Sequence, residues 1–204
     1  MTRLTTTLLA LILVHGTLPA QAAVSGQAFG VAVKTSATNL QSGRVTLPAG
    51  GGFLSADVDA LSAPEVRVDA LTTTTSGVID TLASTAQSTA HLENVNVLNG
   101  LITAETVIVA TSSWGNGAAG RNALGSSFTN LVVNGMAVGS GDYLPTPNTR
   151  VDLPGVGYVV LNEQITSGAS GITVNMIHVV LQNALTGVTT GEIVVASASS
   201  SAGS

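Results

Sequence analysis

The chain has 204 residues, of which 8% are charged and 3% aromatic, with a formal net charge of −5 and no cysteine. These values exclude a disulfide scaffold and a basic surface able to neutralise a run of phosphates; a hydrophobic share of 45% excludes a fully disordered chain. Ser, Thr, Asn and Gly do the solvating in place of Glu, Lys and Arg, and the frequent Val and Thr favour strands.

Residues 1–22 read as a cleavable secretory leader. Arg3 supplies the positive start, and Leu8-Leu9-Ala10-Leu11-Ile12-Leu13-Val14 is the apolar core. Gly16 and Pro19 break any helix before Ala20-Gln21-Ala22, whose small side chains suit a signal peptidase pocket. Spanning a bilayer takes ~20 apolar residues, so this core is too short to be a stable anchor. Without cysteine there is no site for lipoprotein acylation. Cleavage is expected after Ala22, or one residue later after Ala23. The first cut leaves 182 of the 204 residues and, with Arg3 gone, a net charge of −6. That length buries a real core without staples.

Beyond the leader, period-two patterns recur between Gly, Pro and Asn clusters. Strands are expected over 28–33 and 44–47, the second ended by Pro48 and the flexible Gly50-Gly51-Gly52. Over 53–60 the pattern alternates, with Asp57 and Asp59 on one face and Val58 on the other. Glu65-Val66-Arg67-Val68-Asp69 alternates cleanly, valines inward. The run 72–77, which opens on four threonines, reads as a loop. Asn99-Gly100 suits a two-residue type I′ turn, which predicts a hairpin over 90–110. Residues 114–127 are rich in Gly and Asn and read as a surface loop, as does the stretch around 139–147. A hairpin is expected over 149–162, turning at Pro154-Gly155-Val156-Gly157. Another joins 172–181 to 191–197, and Asn134-Gly135 suits a shorter turn. Residues 105–112 echo residues 192–199. Two similar hairpins packed face to face in a sandwich, successive coils of a solenoid and chance likeness of Val- and Ser-rich segments all account for the echo.

Few residues suggest chemistry. Gly115-Asn116-Gly117-Ala118-Ala119-Gly120 matches G-x-G-x-x-G, with Asp142 downstream, but no helix pattern follows and no βαβ unit surrounds it. No G-x-S-x-G elbow is present. His91 and His178 lie in expected strands without a spaced nucleophile and acid, and two histidines without cysteines make a poor zinc set. Glu65, Glu93, Glu105, Glu163 and Glu192 are candidates for a glycosidase pair, although each sits in or beside a strand, where a solvated face is the usual explanation. Asp57 and Asp59 point the same way, as calcium ligands do, without further oxygen ligands nearby. Trp114, Tyr143 and Tyr158 are the candidate sugar platforms. Trp114 and Tyr143 in one exposed groove with a carboxylate pair favour a glycan-directed protein; if they lie apart, that reading loses.

The segment Asn148-Thr149-Arg150-Val151-Asp152-Leu153-Pro154-Gly155-Val156-Gly157-Tyr158-Val159-Val160-Leu161-Asn162-Glu163-Gln164 resembles the hallmark of the choice-of-anchor P family. The stretches 100–105, 171–179 and 191–197 resemble it as well. The likeness runs over about 27–199 and is most specific over 148–164. It implies a bacterial exported domain whose members end in various surface anchors, and it carries over no biochemical activity. It also implies cysteines near Ser112 and Ser199 that look like partners of a disulfide, where this chain has serines. Leu144-Pro145-Thr146-Pro147-Asn148 is internal and is not a sorting signal.

The expected fold is therefore all-β: a single antiparallel β-sandwich-like domain over 23–198, preceded by the signal peptide at 1–22 and followed by a polar tail at 199–204. A β-solenoid is the alternative. The expected role is a non-enzymatic secreted or cell-surface domain, structural or adhesive, with a carbohydrate-binding or glycan-cleaving extracellular protein as the alternative. No catalytic, cofactor-binding or metal-binding residue is assigned, and no cofactor is expected. The partner is expected to be extracellular or in the cell envelope, not nucleic acid, and no transmembrane anchor is expected in the mature chain.

Overall fold

A computed structural model describes residues 23–80, 83–115 and 117–203. The leader expected over 1–22 lies outside those residues. In the first half the strands are β1 (Val24–Lys34), β2 (Asn39–Ser42), β3 (Val45–Thr46), β4 (Gly52–Val58), β5 (Leu61–Ser62), β6 (Val66–Val68), β7 (Ala70–Val78), β8 (Ser84–Val97) and β9 (Ile102–Gly115). In the second half they are β10 (Gly120–Asn122), β11 (Ser127–Thr129), β12 (Val132–Val133), β13 (Met136–Ala137), β14 (Asp142–Tyr143), β15 (Thr149–Leu153), β16 (Gly157–Ser167), β17 (Gly171–Gln182) and β18 (Thr189–Ala202).

The chain is all-β, with no helix among the described residues. One sheet has seven strands in the order β15-β16-β17-β18-β1-β2, with β3 beside β1. The other has eleven and is built on β9-β8, flanked by β7-β4 and by the short strands β5, β6 and β10 to β14. The two sheets are not closed into a barrel. Every pairing is antiparallel, for example Val24↔Ala202 and Val97↔Ile102. A solenoid pairs its coils in parallel, so that alternative is overturned. The echoing segments fall on β9 and β18, and the hairpins β8–β9 and β17–β18 pack against each other across the sandwich. Val107, Val109, Ile177, Val179, Ile193 and Val195 meet between them, each fully buried.

The hairpins expected over 90–110, 149–162 and 172–197 are all present. Asn134-Gly135 turns β12 into β13 with φ of 51° and 74°, as a type I′ turn requires. At Asn99-Gly100 the φ values are 54° and 90°, again of that type, and Leu101 N–H donates to Leu98 C=O at 3.3 Å. Leu98 is itself left-handed, and its N–H donates to Glu65 C=O, so the ladder stops at Val97↔Ile102 and four residues bridge the strands. A Cβ added at Gly100 meets nothing within 4 Å, so the cost of Gly100→Val is backbone strain alone. We expect a loss of about 1–3 kcal/mol in urea unfolding, with Asn99→Gly nearly neutral. An unchanged midpoint for Gly100→Val would refute the turn geometry.

Three sequence expectations need correction. Residues 72–77 are not a loop but lie in β7. Thr73 and Thr75 are buried, the first donating to Gly43 C=O at 2.7 Å and the second sharing a 2.9 Å bond with Ser88 Oγ. A threonine whose hydroxyl has a partner behaves inside as a β-branched apolar residue, so a run of threonines alternates faces without showing a hydrophobic period. The loop expected over 114–127 is interrupted by β10, whose Gly120 pairs with Trp114. The polar tail at 199–204 is largely strand: Ser199, Ser200, Ser201 and Ala202 pair with β1. There Ser200 Oγ lies 2.7 Å from Ser113 Oγ across the sandwich, and Ser113 Oγ also lies 2.7 Å from Ser170 C=O. The buried serines that join the sheets are thus one position beyond Ser112 and Ser199, both of which are only half-buried.

A line of left-handed residues crosses each sheet. In the seven-stranded sheet Asn148, Asn162 and Ala196 have φ of 61°, 49° and 54°. The ladders skip the level of Asn162, Met176, Ala196 and Gly30, passing from Leu161↔Ile177↔Val195↔Val31 to Glu163↔Asn175↔Ser197↔Phe29. In the other sheet Asn94 and Asn130, with φ of 51° and 52°, stand level with Glu105. Asn tolerates this region better than other side chains of its size. At each line the in–out alternation resets by one residue while the register is kept, so Met176 and Ile177 are both buried. Asn162 is fully buried, donating from Nδ2 to Pro145 C=O at 2.8 Å and accepting at Oδ1 from Gln164.

Candidate functional site

This reset assembles a polar cluster of four side chains. Asn175 and His178 are three residues apart, a separation that in a regular strand puts them on opposite faces. With Met176 and Ile177 both inward, they share the outer face of β17. Glu163 on β16 stands opposite Asn175, and Ser197 on β18 stands on its other side. Asn175 Nδ2 donates to Glu163 Oε2 at 2.6 Å, His178 Nδ1 lies 3.0 Å from the same oxygen, and Ser197 Oγ donates to Asn175 Oδ1 at 2.7 Å. A carboxylate only accepts, so Nδ1 carries the imidazole proton.

The side chains of Glu163 and His178 are each 19% exposed. The hydrogen bond from His178 holds the Glu163 carboxyl below its ordinary value; burial works against this, and Asn175 adds to it. The hydrogen bond to Glu163 holds His178 above its ordinary value, against burial, with the charges of Glu163 and Glu192 adding. His178 Nε2 is buried without a protein partner. A proton there would be unpaired, which is the burial cost that the carboxylate outweighs.

The cluster contains a serine, a histidine and a carboxylate, but not wired as a hydrolytic triad. That arrangement needs imidazole Nε2 facing the serine hydroxyl. Here Ser197 gives its proton to an amide oxygen, which cannot remove it, and Nε2 is buried. What the arrangement does chemically is lock β16, β17 and β18 together through one ionised acceptor.

Linkage sets the pH dependence of this lock. Glu163, lowered in the fold, contributes stability that is present above its ordinary value of 4.5 and lost as pH falls through the lower folded value. His178, raised in the fold, contributes stability that is full below 6.5 and lost as pH rises through the higher folded value. The stability advantage of wild type over Glu163→Gln should therefore be greatest between 4.5 and 6.5 and shrink on both sides. Urea midpoints at acidic, mildly acidic and alkaline pH check this; a difference that ignores pH removes the ion pair from the account.

The other candidates are dispersed. Glu65 Oε1 accepts from Thr38 Oγ1 at 2.8 Å and from Thr35 Oγ1 at 3.3 Å. Glu105 accepts from Asn130 at 2.7 Å. Glu93 is exposed on β8, and Glu192 stands across from Lys34. Among the described hydrogen bonds no two of these glutamates share a partner; only the charges of Glu163 and Glu192 act together, on His178. Asp57 accepts from Thr72 at 2.7 Å, while Asp59 lies past the end of β4. His91 is exposed between Thr72 and Ile108. Among the described residues no three His, Asp or Glu side chains converge as metal ligands do. The G-x-G-x-x-G runs from the end of β9 into β10 with no helix after it.

The aromatic platforms are separate too. Trp114 is at one end of β9, whereas Tyr143 pairs with Phe128, which pairs with Val107. Those levels are seven residues apart along β9, about 23 Å. Tyr158 carries the Arg150 guanidinium 3.8 Å above its ring. Trp114 and Tyr143 therefore lie apart, which counts against a glycan site built on that pair. Sequence reading singled out Glu163 and His178 separately and passed over Asn175 and Ser197. Asn at a left-handed level was the available signal, since Asn162 marks the line beside which the cluster forms.

No family model, curated protein or solved structure matches this chain. The choice-of-anchor P resemblance thus rests on the residues themselves, above all 148–164, which form β15, the turn at Pro154-Gly155 and most of β16.

Proposed function

We propose that the chain is an exported, non-enzymatic domain of the cell surface or its surroundings, structural or adhesive in role, of the kind the choice-of-anchor P resemblance implies. The observation that carries this reading is the polar cluster at Glu163. It is the site best equipped for chemistry, yet its hydrogen bonds are spent on holding three strands together. The outer face of the eleven-stranded sheet is rich in Ser and Thr, which supports an extracellular setting. Among the described residues no helix is long and apolar enough to cross a membrane.

The export part of the reading has its own support. β1 begins at Val24, and Ala23 C=O accepts from Gly203 N–H at 2.7 Å. Cleavage after Ala22 keeps that bond, and cleavage after Ala23 loses it. Mass spectrometry of exported protein should give a chain starting at Ala23. A chain still starting at Met1 counts against export. The functional part is tested by a general hydrolase screen beside an adhesion assay on whole cells with and without the gene. Turnover of any substrate that Glu163→Gln abolishes would sink the non-enzymatic reading.

A further inference from the structure

The outer face of the larger sheet is five strands wide and has an unusual composition. Across β4, β7, β8, β9 and β10 one row reads Phe53, Ser76, Gln87, Ser112, Asn122. The row on one side is Ser55, Thr74, Thr89, Ala110; the row on the other is Val78, Thr85, Trp114, Gly120. No residue of these rows is charged. Among the described residues the nearest charges are Asp57, separated from His91 by Thr72 in the next row, Asp80 past the end of β7, and Arg121 between Gly120 and Asn122, whose guanidinium donates to Gly168 C=O at 2.8 Å.

Two features make this more than a solvated surface. Phe53 and Val78 are 65% and 60% exposed, diagonal neighbours at the margin of the face, with Phe53 opposite Ser76. A Cβ at Gly120 would strike Cζ2, Cε2 and Nε1 of Trp114 together, so the indole lies flat over the backbone of β10. Gly120 covers one ring face, and Trp114 is half-buried on the outer face of β9. Neighbouring strands are about 4.8 Å apart, so Val78 and Trp114, with Thr85 between them, are about 10 Å apart.

We propose that this face is a binding surface for a neutral polysaccharide. The absence of charge matches an uncharged polymer and offers nothing to a phosphate, uronate or sulfate. The flat indole offers a ring for the C–H face of a sugar. Gln87, Ser112, Thr85 and Asn122 offer amide and hydroxyl groups that both donate and accept, as sugar hydroxyls do. Phe53 and Val78 close one side with apolar surface. This inference rests on the adhesive reading above and names the class of its ligand.

The test uses residues 23–204 in pull-down with microcrystalline cellulose and chitin and in affinity electrophoresis with soluble β-glucan, xylan and starch, with polygalacturonate and heparin as charged controls. At least one neutral polymer should bind, and Trp114→Ala should weaken it at least tenfold. Phe53→Ser should weaken the same polymer severalfold, and Glu163→Gln on the other sheet should leave it unchanged. Urea midpoints and circular dichroism confirm that each variant is folded; since Phe53 is exposed, its variant serves if Trp114→Ala fails to fold. No binding in the neutral panel, binding only to charged controls, or binding untouched in folded Trp114→Ala each overturns the proposal. So does a dimer in sedimentation that Phe53→Ser dissolves, which would assign the face to a second copy. Cell adhesion that survives Trp114→Ala sinks the polysaccharide surface and leaves the adhesive reading standing, whereas no adhesion by the wild type counts against that reading itself.

Discussion

Replacing Gly157 with alanine should cost the domain about 3–5 kcal/mol, the largest effect expected of any single-methyl change here. Gly157 opens β16 with φ of 142°, outside the region side chains occupy. A Cβ there would also overlap the Val180 carbonyl oxygen and crowd Gln182 N. Those are backbone atoms of β17, fixed by the pair Gly157↔Leu181 and by the Gln182 N–H bond to Val156 C=O at 2.8 Å. Neither strand can yield without breaking that ladder. Gly155, two residues earlier, is the control: its φ is 76°, but its Cβ position is open. Gly155→Ala should cost about 1–2 kcal/mol. Urea unfolding of residues 23–204 separates the two, and in melting experiments the Gly157 variant should lose about 10 °C. Equal losses at both positions would show that the close approach of β16 and β17 is not as described.

Phe128→Ala should cost about 3–5 kcal/mol, the usual range for emptying a buried aromatic site. Phe128 is 0% exposed and lies on β11 between Val107 of β9 and Tyr143 of β14. It joins Leu131 and Val133 in the main core. The short strands around it have few ladder bonds of their own, so apolar burial carries this corner. The aromatic fills a space that β11 and β12 cannot collapse into without releasing β9. Phe53→Ser, at an exposed position, should shift stability by no more than about 0.5 kcal/mol. A loss under 1 kcal/mol for Phe128→Ala would mean that the corner is not packed against β9. A lower urea slope would mean that it melts separately.

Much of the fold was legible because hairpins are local. Asn134-Gly135, Asn99-Gly100 and Pro154-Gly155 each carry their turn chemistry within a few residues, and the alternating valines of β6 place their own inward face. The threonines of β7 were illegible for the opposite reason. Whether Thr73 is inside depends on Gly43 C=O being there to accept its hydroxyl, and that oxygen arrives from a segment 30 residues away. The serines of β18 read as a tail until β1 supplied their partners. At the candidate site Glu163 and His178 were visible as titratable residues, but their meeting was not. It depends on the reset at Met176, which no alternation rule contains.

Composition and local pattern alone determined that this chain forms β-structure with local hairpins, stabilised without cysteine or many charges, because strand preference and turn geometry act over neighbouring residues. Tertiary structure alone decided which polar residues count as core, where the alternation resets, and which side chains share a face. Those outcomes rest on hydrogen-bond partners and backbone contacts between residues far apart in the chain, such as Ser113 with Ser200 and Gly157 with Val180. A side chain's environment there is set by which strand lies beside it, and neither partner carries that information by itself.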